Sequence, residues 1–115
     1  GPSMGPAGKP ETVGGSFETA GQLSRAGMKV AITTDHDVTP LWLLPSFAAM
    51  CVREGLSEED ALCAITIHAA HAMGVEDRVG SLKPGKDADI AVFSGHPFHY
   101  LTQTAAVFIS GKRVE

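Results

Sequence analysis

The sequence predicts an α/β fold, with helices around one strand first and a small β module after them. A short run rich in β-branched residues, 28–34, follows Gly27, a typical helix end. Between residues 57 and 73, apolar residues recur at helical spacing. From about Asp77 onward, short apolar runs alternate with turn residues instead. These three observations divide the chain near Asp77.

The first predicted elements are a short helix and a buried strand. Ser16 is the expected N-cap, and Glu18 lies in the first turn, where a negative charge is favourable. Gly27 ends the helix, and residues 29–34 form the strand. Residues 35–40 follow as a loop.

Two further helices are predicted before the β module. One covers about residues 43–53, with Pro45 in its first turn, where a missing N–H costs little. Gly55 ends it. The run Ser-Glu-Glu-Asp at 57–60 then begins a helix in which the Ser caps and the Asp reaches back. That helix continues as one element to Gly74.

The β module consists of short strands joined by turns. Ser110-Gly111 reads as a hairpin turn between the last two runs. The expected strands are residues 79–82, 88–93, 105–109 and 113–114.

Length, charge and cysteine content restrict the function. The chain has 115 residues, well short of the roughly 250 of a closed β/α barrel. Its net charge of -4 argues against nucleic-acid binding and provides no basic face for a membrane. Cys51 and Cys63 form no C-x-x-C pair, and no secretory signal is present. We therefore expect a reducing, cytoplasmic setting.

Asp35 is the most informative residue, because it stands at the carboxyl end of the predicted strand. In parallel sheets and barrels, catalytic groups and metals collect at that end. A carboxylate there can bind a cation or take a proton from a metal-activated water. Equally, it can cap the next helix or form an Asx turn. Residue type and position leave both readings open.

The most specific pattern is residues 79–95, which read VGSLKPGKDADIAVFSG. It resembles the carboxyl-terminal signature of the amidohydrolase superfamily, the metal-dependent hydrolases related to imidazolonepropionase and dihydroorotase. The ending at 107–114 and the helix at 57–75 resemble the same family. Members often have Asn-Pro-Ala where this chain has His68-Ala69-Ala70. The T-D-H at 34–36 and the S-G-H-P ending at Pro97 point to the imidazolonepropionase-like branch.

The resemblance implies a fold and a domain division. Residues 1–77 would be the last β/α unit or units of a TIM-like (β/α)8 barrel, with 1–15 a loop. Residues 78–115 would be the exit module, the carboxyl-terminal strands of a composite β-sandwich. Gly1-Pro2 would then end the seventh strand or its loop rather than be a cloning scar. Asp89, in the signature, is expected to hydrogen-bond local backbone.

The resemblance also implies roles for two residues. Asp35 aligns with the family's last-strand Asp, which ligates a divalent metal, expected to be zinc, and shuttles a proton from water to the leaving amine. His36 would bind substrate or orient Asp35, with loop packing as the alternative. The family's other ligands come from the first, fourth, fifth and sixth strands, outside this chain. The fragment alone is therefore expected to be inactive.

The remaining histidines are expected to be structural. His68 and His71 lie three residues apart on one helix face, a spacing that suits a metal, but no third ligand is evident nearby. In the family this helix lies outside the barrel. His96 and His99 fall in the β module as surface or sandwich residues.

The predicted function is hydrolysis of non-peptide carbon–nitrogen bonds, in amides or cyclic amides, by the intact protein. The alternatives are a metal-dependent dipeptidase of the same superfamily, and a non-catalytic interaction module that has lost the metal site. The expected partner is a small-molecule substrate, with no nucleic acid and no membrane. Self-association stays open.

Overall fold

The computed structural model describes residues 15–114, in which helices come first and an antiparallel sheet follows. The loop predicted for 1–15 therefore lies outside the described residues, except for Gly15. The elements are α1 (Glu18–Arg25), a 3-10 turn (Leu41–Leu43), α2 (Leu44–Arg53), α3 (Glu58–Ala64), α4 (Ile67–Ala72), β1 (Ile90–Phe93), β2 (Thr104–Ile109) and β3 (Lys112–Arg113). The α/β class is confirmed. No helix in the described range is long and apolar enough to cross a bilayer.

Helix α1 begins and ends close to its predicted limits. The Ser16 hydroxyl accepts a hydrogen bond from the Glu18 N–H at 3.1 Å, although Phe17 occupies the N-cap position. Gly27 follows the helix with φ of 81°, a conformation that favours glycine. Gly21 lies against the α2–α3 connection, and a Cβ there would stand 2.9 Å from the Gly55 carbonyl oxygen. Only glycine therefore allows this close approach of α1.

The core lies where α2 and α3 face each other. Its buried members include Ala48 and Cys51 from α2, and Leu56 and Ala61 at the start of α3. Burial raises the pKa of the Cys51 thiol, which keeps it protonated and unreactive at neutral pH. The core is built mostly from small side chains, which allow the two helices to approach closely.

The single helix predicted from residue 57 to Gly74 is wrong, because the structure divides it into α3 and α4. The Ser57 hydroxyl does cap α3, accepting from the Asp60 N–H at 3.0 Å. The break falls at Thr66, whose φ and ψ of -131° and -98° are not helical. Its hydroxyl donates to the Leu62 carbonyl at 2.6 Å, a side-chain bond that competes with regular helix geometry.

The strand predicted at 29–34 is also wrong for the described chain, since residues 28–34 belong to no sheet. A strand is completed by hydrogen bonds to a neighbour, and no other part of residues 15–114 supplies them. Ala31, expected in a crowded interior, is exposed. Burial nevertheless alternates from Val30 to Thr34, the period of two that a strand shows.

The sheet has the order β1-β2-β3 and is antiparallel throughout. The predicted turn at Ser110-Gly111 is confirmed, since their φ angles of 50° and 75° are those of a two-residue type I′ hairpin. Asp89 accepts a hydrogen bond from the Ser110 backbone N–H at 2.8 Å, so its partner is backbone but distant in sequence. The strand expected at 79–82 is wrong, because these residues form bends and coil.

Contacts from the loop after β1 and from the connection before β1 join the sheet region to the helices. Phe98 packs against the helical core from the loop after β1. Gly80 lies on α4, where a Cβ would stand 2.8 Å from the Ala70 Cβ. The Lys86 ammonium donates to the carbonyls of Glu76 and Val79, at 3.2 Å for the latter. These bonds satisfy backbone groups of the connection between α4 and β1.

Candidate functional site

The candidate site is built on residues 28–38, which connect α1 to the 3-10 turn before α2. The Ile32 N–H donates to the Ala64 carbonyl at 3.1 Å, and this carbonyl is the last of α3. Ile32 also packs on the core, and Thr34 is 4% exposed. The residues just before Asp35 are therefore fixed to the carboxyl end of α3.

Asp35 adopts a left-handed backbone conformation, with φ of 54°. Asp tolerates this region better than most residues with a side chain. Its N–H donates to the Thr33 hydroxyl at 3.2 Å, and its carbonyl accepts from the Val38 N–H at 2.7 Å. Asp35 thus begins a turn, and both of its backbone polar groups are hydrogen-bonded.

The Asp35 side chain is exposed, as are those of His36 and Asp37. Within residues 15–114, no protein group hydrogen-bonds to the Asp35 carboxylate. A carboxylate in this state can give one oxygen to a cation and keep the other to accept a proton. Asp35 therefore fits as one ligand of a divalent metal.

A complete metal site needs more donors than this segment brings together. In the described part of the chain, no three His, Cys, Asp or Glu side chains lie close enough to hold a metal ion. Asp35 would have to share the metal with ligands from elsewhere.

Within residues 15–114, His68 and His71 belong to no cluster of three side chains that could hold a metal ion. The His71 Nδ1 lies 2.9 Å from Glu76 Oε1, and His68 lies near Asp60. The pKa of Glu76 is lowered by hydrogen bonds that its carboxylate accepts from the Glu76 backbone N–H and from His71. The pKa of Asp60 is lowered mainly by the Ser24 hydroxyl, which donates to it at 2.8 Å, and less by Ser57 and His68.

His96 and His99 lie in the loop after β1. The His96 ring packs edge-on against Phe98, and its Nε2 is 3.9 Å from Glu58 Oε2. His99 stacks on Tyr100. An open groove of about 680 Å³ separates this loop from α2, and Asp35 does not line it.

Sequence reasoning treated Thr33 only as a strand residue and did not identify its hydrogen bond to Asp35. A signal was available, because a Thr two residues before a turn residue can accept from that residue's N–H. The β-branched side chain favours a strand equally well, so the pattern did not distinguish the two roles.

Comparison with known proteins places these features in a family. The family model described as "Amidohydrolase family" matches residues 13–114. Imidazolonepropionase of Geobacillus kaustophilus (strain HTA426) is 41% identical over 78 residues, covering 65% of this chain and 18% of that protein. Imidazolonepropionase of Symbiobacterium thermophilum is 36% identical over 87 residues, covering 73% of this chain and 20% of that protein.

Solved structures show the same similarity. The crystal structure of an amidohydrolase from Thermotoga maritima MSB8 matches with a TM-score of 0.94 and 40% identity, covering 100% of this chain and 30% of that one. A Bifidobacterium longum protein, provisionally described as a prolidase, matches with a TM-score of 0.69 and 32% identity, covering 89% and 26%. The chain therefore spans about a fifth of the length of these curated relatives and under a third of these solved chains.

Proposed function

The chain belongs to the amidohydrolase family, and we propose that the intact protein hydrolyses non-peptide carbon–nitrogen bonds with Asp35 as a catalytic residue. Imidazolonepropionate is the first substrate to test, because curated relatives at about 40% identity are named imidazolonepropionases. The observation that carries the proposal is the Asp35 carboxylate: it is exposed, free of hydrogen bonds within residues 15–114, and held by an anchored turn.

We assign the fold to the end of a TIM-like barrel followed by part of a composite sandwich. Residues 1–77 would hold the last β/α unit or units, and 78–115 the sandwich strands. The alternating burial at 30–34 supports a barrel strand that pairs with units outside the described chain. In that position Asp35 stands at the carboxyl end of the strand, where catalytic groups of barrels collect.

A divalent metal, proposed to be zinc, would act in the intact protein as a Lewis acid and make water easier to deprotonate. Asp35 would contribute one ligand to it, and the other ligands would come from outside the described residues. The second carboxylate oxygen of Asp35 can take the proton of the attacking water and return it to the departing nitrogen. His36 follows directly and would contact substrate or orient Asp35.

We also propose that this chain alone is inactive with added zinc, because the described residues bring no second and third metal ligand to Asp35. One carboxylate binds a divalent ion weakly, and hydrolysis needs both a held metal and a positioned base. The intact protein would act on a small molecule, without nucleic acid or membrane. A cytoplasmic setting is supported by the two free cysteines.

The second candidate is a metal-dependent dipeptidase of the same family. The observation that favours it is the 32% identity to the Bifidobacterium longum protein provisionally described as a prolidase. Asp35 could perform the same proton transfer on a peptide bond. Only the substrate would differ.

The test is Asp35→Asn in the intact protein, assayed on imidazolonepropionate and on dipeptides ending in proline. Asn also tolerates the left-handed backbone, so the turn should survive. Removing a general base should lower kcat by about 10²- to 10⁴-fold while the circular dichroism spectrum stays unchanged. Near-normal turnover in Asp35→Asn would remove Asp35 from the mechanism. Turnover of the dipeptides alone supports the dipeptidase, and no turnover of either supports a non-catalytic module.

A further inference from the structure

We propose that Thr33 is a positioning residue for Asp35, because its hydroxyl holds the Asp35 backbone in the conformation that directs the carboxylate. The inference rests on the proposed function of Asp35 and adds a second residue to the same site. Thr33 touches neither substrate nor metal in this role. It acts through the N–H of Asp35.

Two hydrogen bonds hold the backbone geometry of Asp35. At φ of 54° the residue lies in a region that most side chains disfavour and Asp tolerates, so hydrogen bonds there help to keep it in this conformation. The Thr33 hydroxyl accepts from its N–H at 3.2 Å, and the Val38 N–H donates to its carbonyl at 2.7 Å. The direction of the Cα–Cβ bond follows from these backbone angles, so the hydroxyl helps to set where the carboxylate points.

The surroundings of Thr33 separate this role from core packing. Its neighbours Ile32 and Thr34 are anchored, one to the Ala64 carbonyl and the other by burial. Thr33 itself is exposed and is absent from the core cluster. Loss of its hydroxyl should therefore disturb the Asp35 turn while the approach to it stays in place.

The test compares two variants of the intact protein with the wild type, with zinc as the probe. Thr33→Val removes the hydroxyl and keeps the branched shape, whereas Thr33→Ser keeps the hydroxyl. Residues that orient a metal ligand typically contribute about 10- to 100-fold in metal affinity or activity. We expect Thr33→Val to weaken zinc binding, measured by chelator competition, and to lower kcat by that factor with KM little changed. Thr33→Ser should retain most of the zinc affinity and most of kcat. Thr33→Ala replaces Thr33→Val if that variant does not fold.

A double-mutant cycle separates positioning from a general structural role. If Thr33 acts through Asp35, Thr33→Val should cause no further loss of zinc affinity in an Asp35→Asn background. The inference is overturned if Thr33→Val lowers zinc affinity equally in the wild-type and Asp35→Asn backgrounds. It is also overturned if Thr33→Val keeps wild-type zinc affinity and kcat. Wild-type zinc affinity and turnover in Asp35→Asn would refute the proposed function itself. A defective Asp35→Asn beside an unaffected Thr33→Val refutes the role of Thr33 alone.

Discussion

Gly80 is the position at which one added methyl group should be most damaging. Gly80 lies in the connection between α4 and β1 and packs against α4. Its φ of 84° is one that glycine favours. A Cβ would lie 2.8 Å from the Ala70 Cβ, 3.0 Å from the Ile67 Cα and 3.1 Å from the Thr66 carbonyl oxygen. Two of these three atoms are backbone, so a change of rotamer would not relieve the contact.

Gly85 provides a matched control for Gly80→Ala in the same segment. Its φ is 91°, but nothing lies within 4 Å of a Cβ there. A left-handed backbone costs an L-residue roughly 1–2 kcal/mol, so this is the expected cost of Gly85→Ala. Overpacking adds about 1–3 kcal/mol, so Gly80→Ala should cost about 2–5 kcal/mol. The difference between the two variants isolates the steric contact.

The assay is hydrogen exchange of the peptide covering α4, measured by mass spectrometry on the intact protein, since exchange reports local opening. A difference of about 1–3 kcal/mol corresponds to roughly 5- to 150-fold faster exchange in Gly80→Ala than in Gly85→Ala. Equal exchange in the two variants would refute the reasoning, because it would mean that the segment moves away from α4 at little cost.

Two further predictions concern the hairpin and the helix pair. Ser110→Asn should stabilise the protein by a few tenths to about 1 kcal/mol, because Asn-Gly suits a type I′ turn. The hydrogen bond to Asp89 should survive, since it uses only the backbone N–H of residue 110. A lowered thermal midpoint would contradict this prediction. Ser24→Ala removes the largest cause of the lowered pKa of Asp60. A lowered carboxyl pKa stabilises the fold above the ordinary pKa and loses that effect as pH falls through the folded value. Denaturant midpoints should therefore separate the variant from the wild type at pH 7 and converge at acid pH; a constant separation would point to packing instead.

Local signals predicted those elements whose causes are local. The Ser57 cap, the glycine at the end of α1 and the hairpin turn depend on residues within a few positions of one another. The division of the helix at Thr66 was missed, because threonine is tolerated inside helices and its non-helical backbone angles there are not visible in the sequence. The strand at 29–34 was wrong for a different reason: a strand needs a hydrogen-bonded neighbour, and none of the described residues pairs with this segment.

The segment that carries Asp35 is held by the helical core on both sides. Ile32 packs on the core and hydrogen-bonds to the end of α3, three residues before Asp35. On the other side, Thr39 is buried and α2 follows closely. Because α2 and α3 share one core, both ends of the segment are held by the same packed unit. This packed unit can thus hold the Asp35 carboxylate in a defined direction, and under the proposed function the other metal ligands would come from outside the described residues.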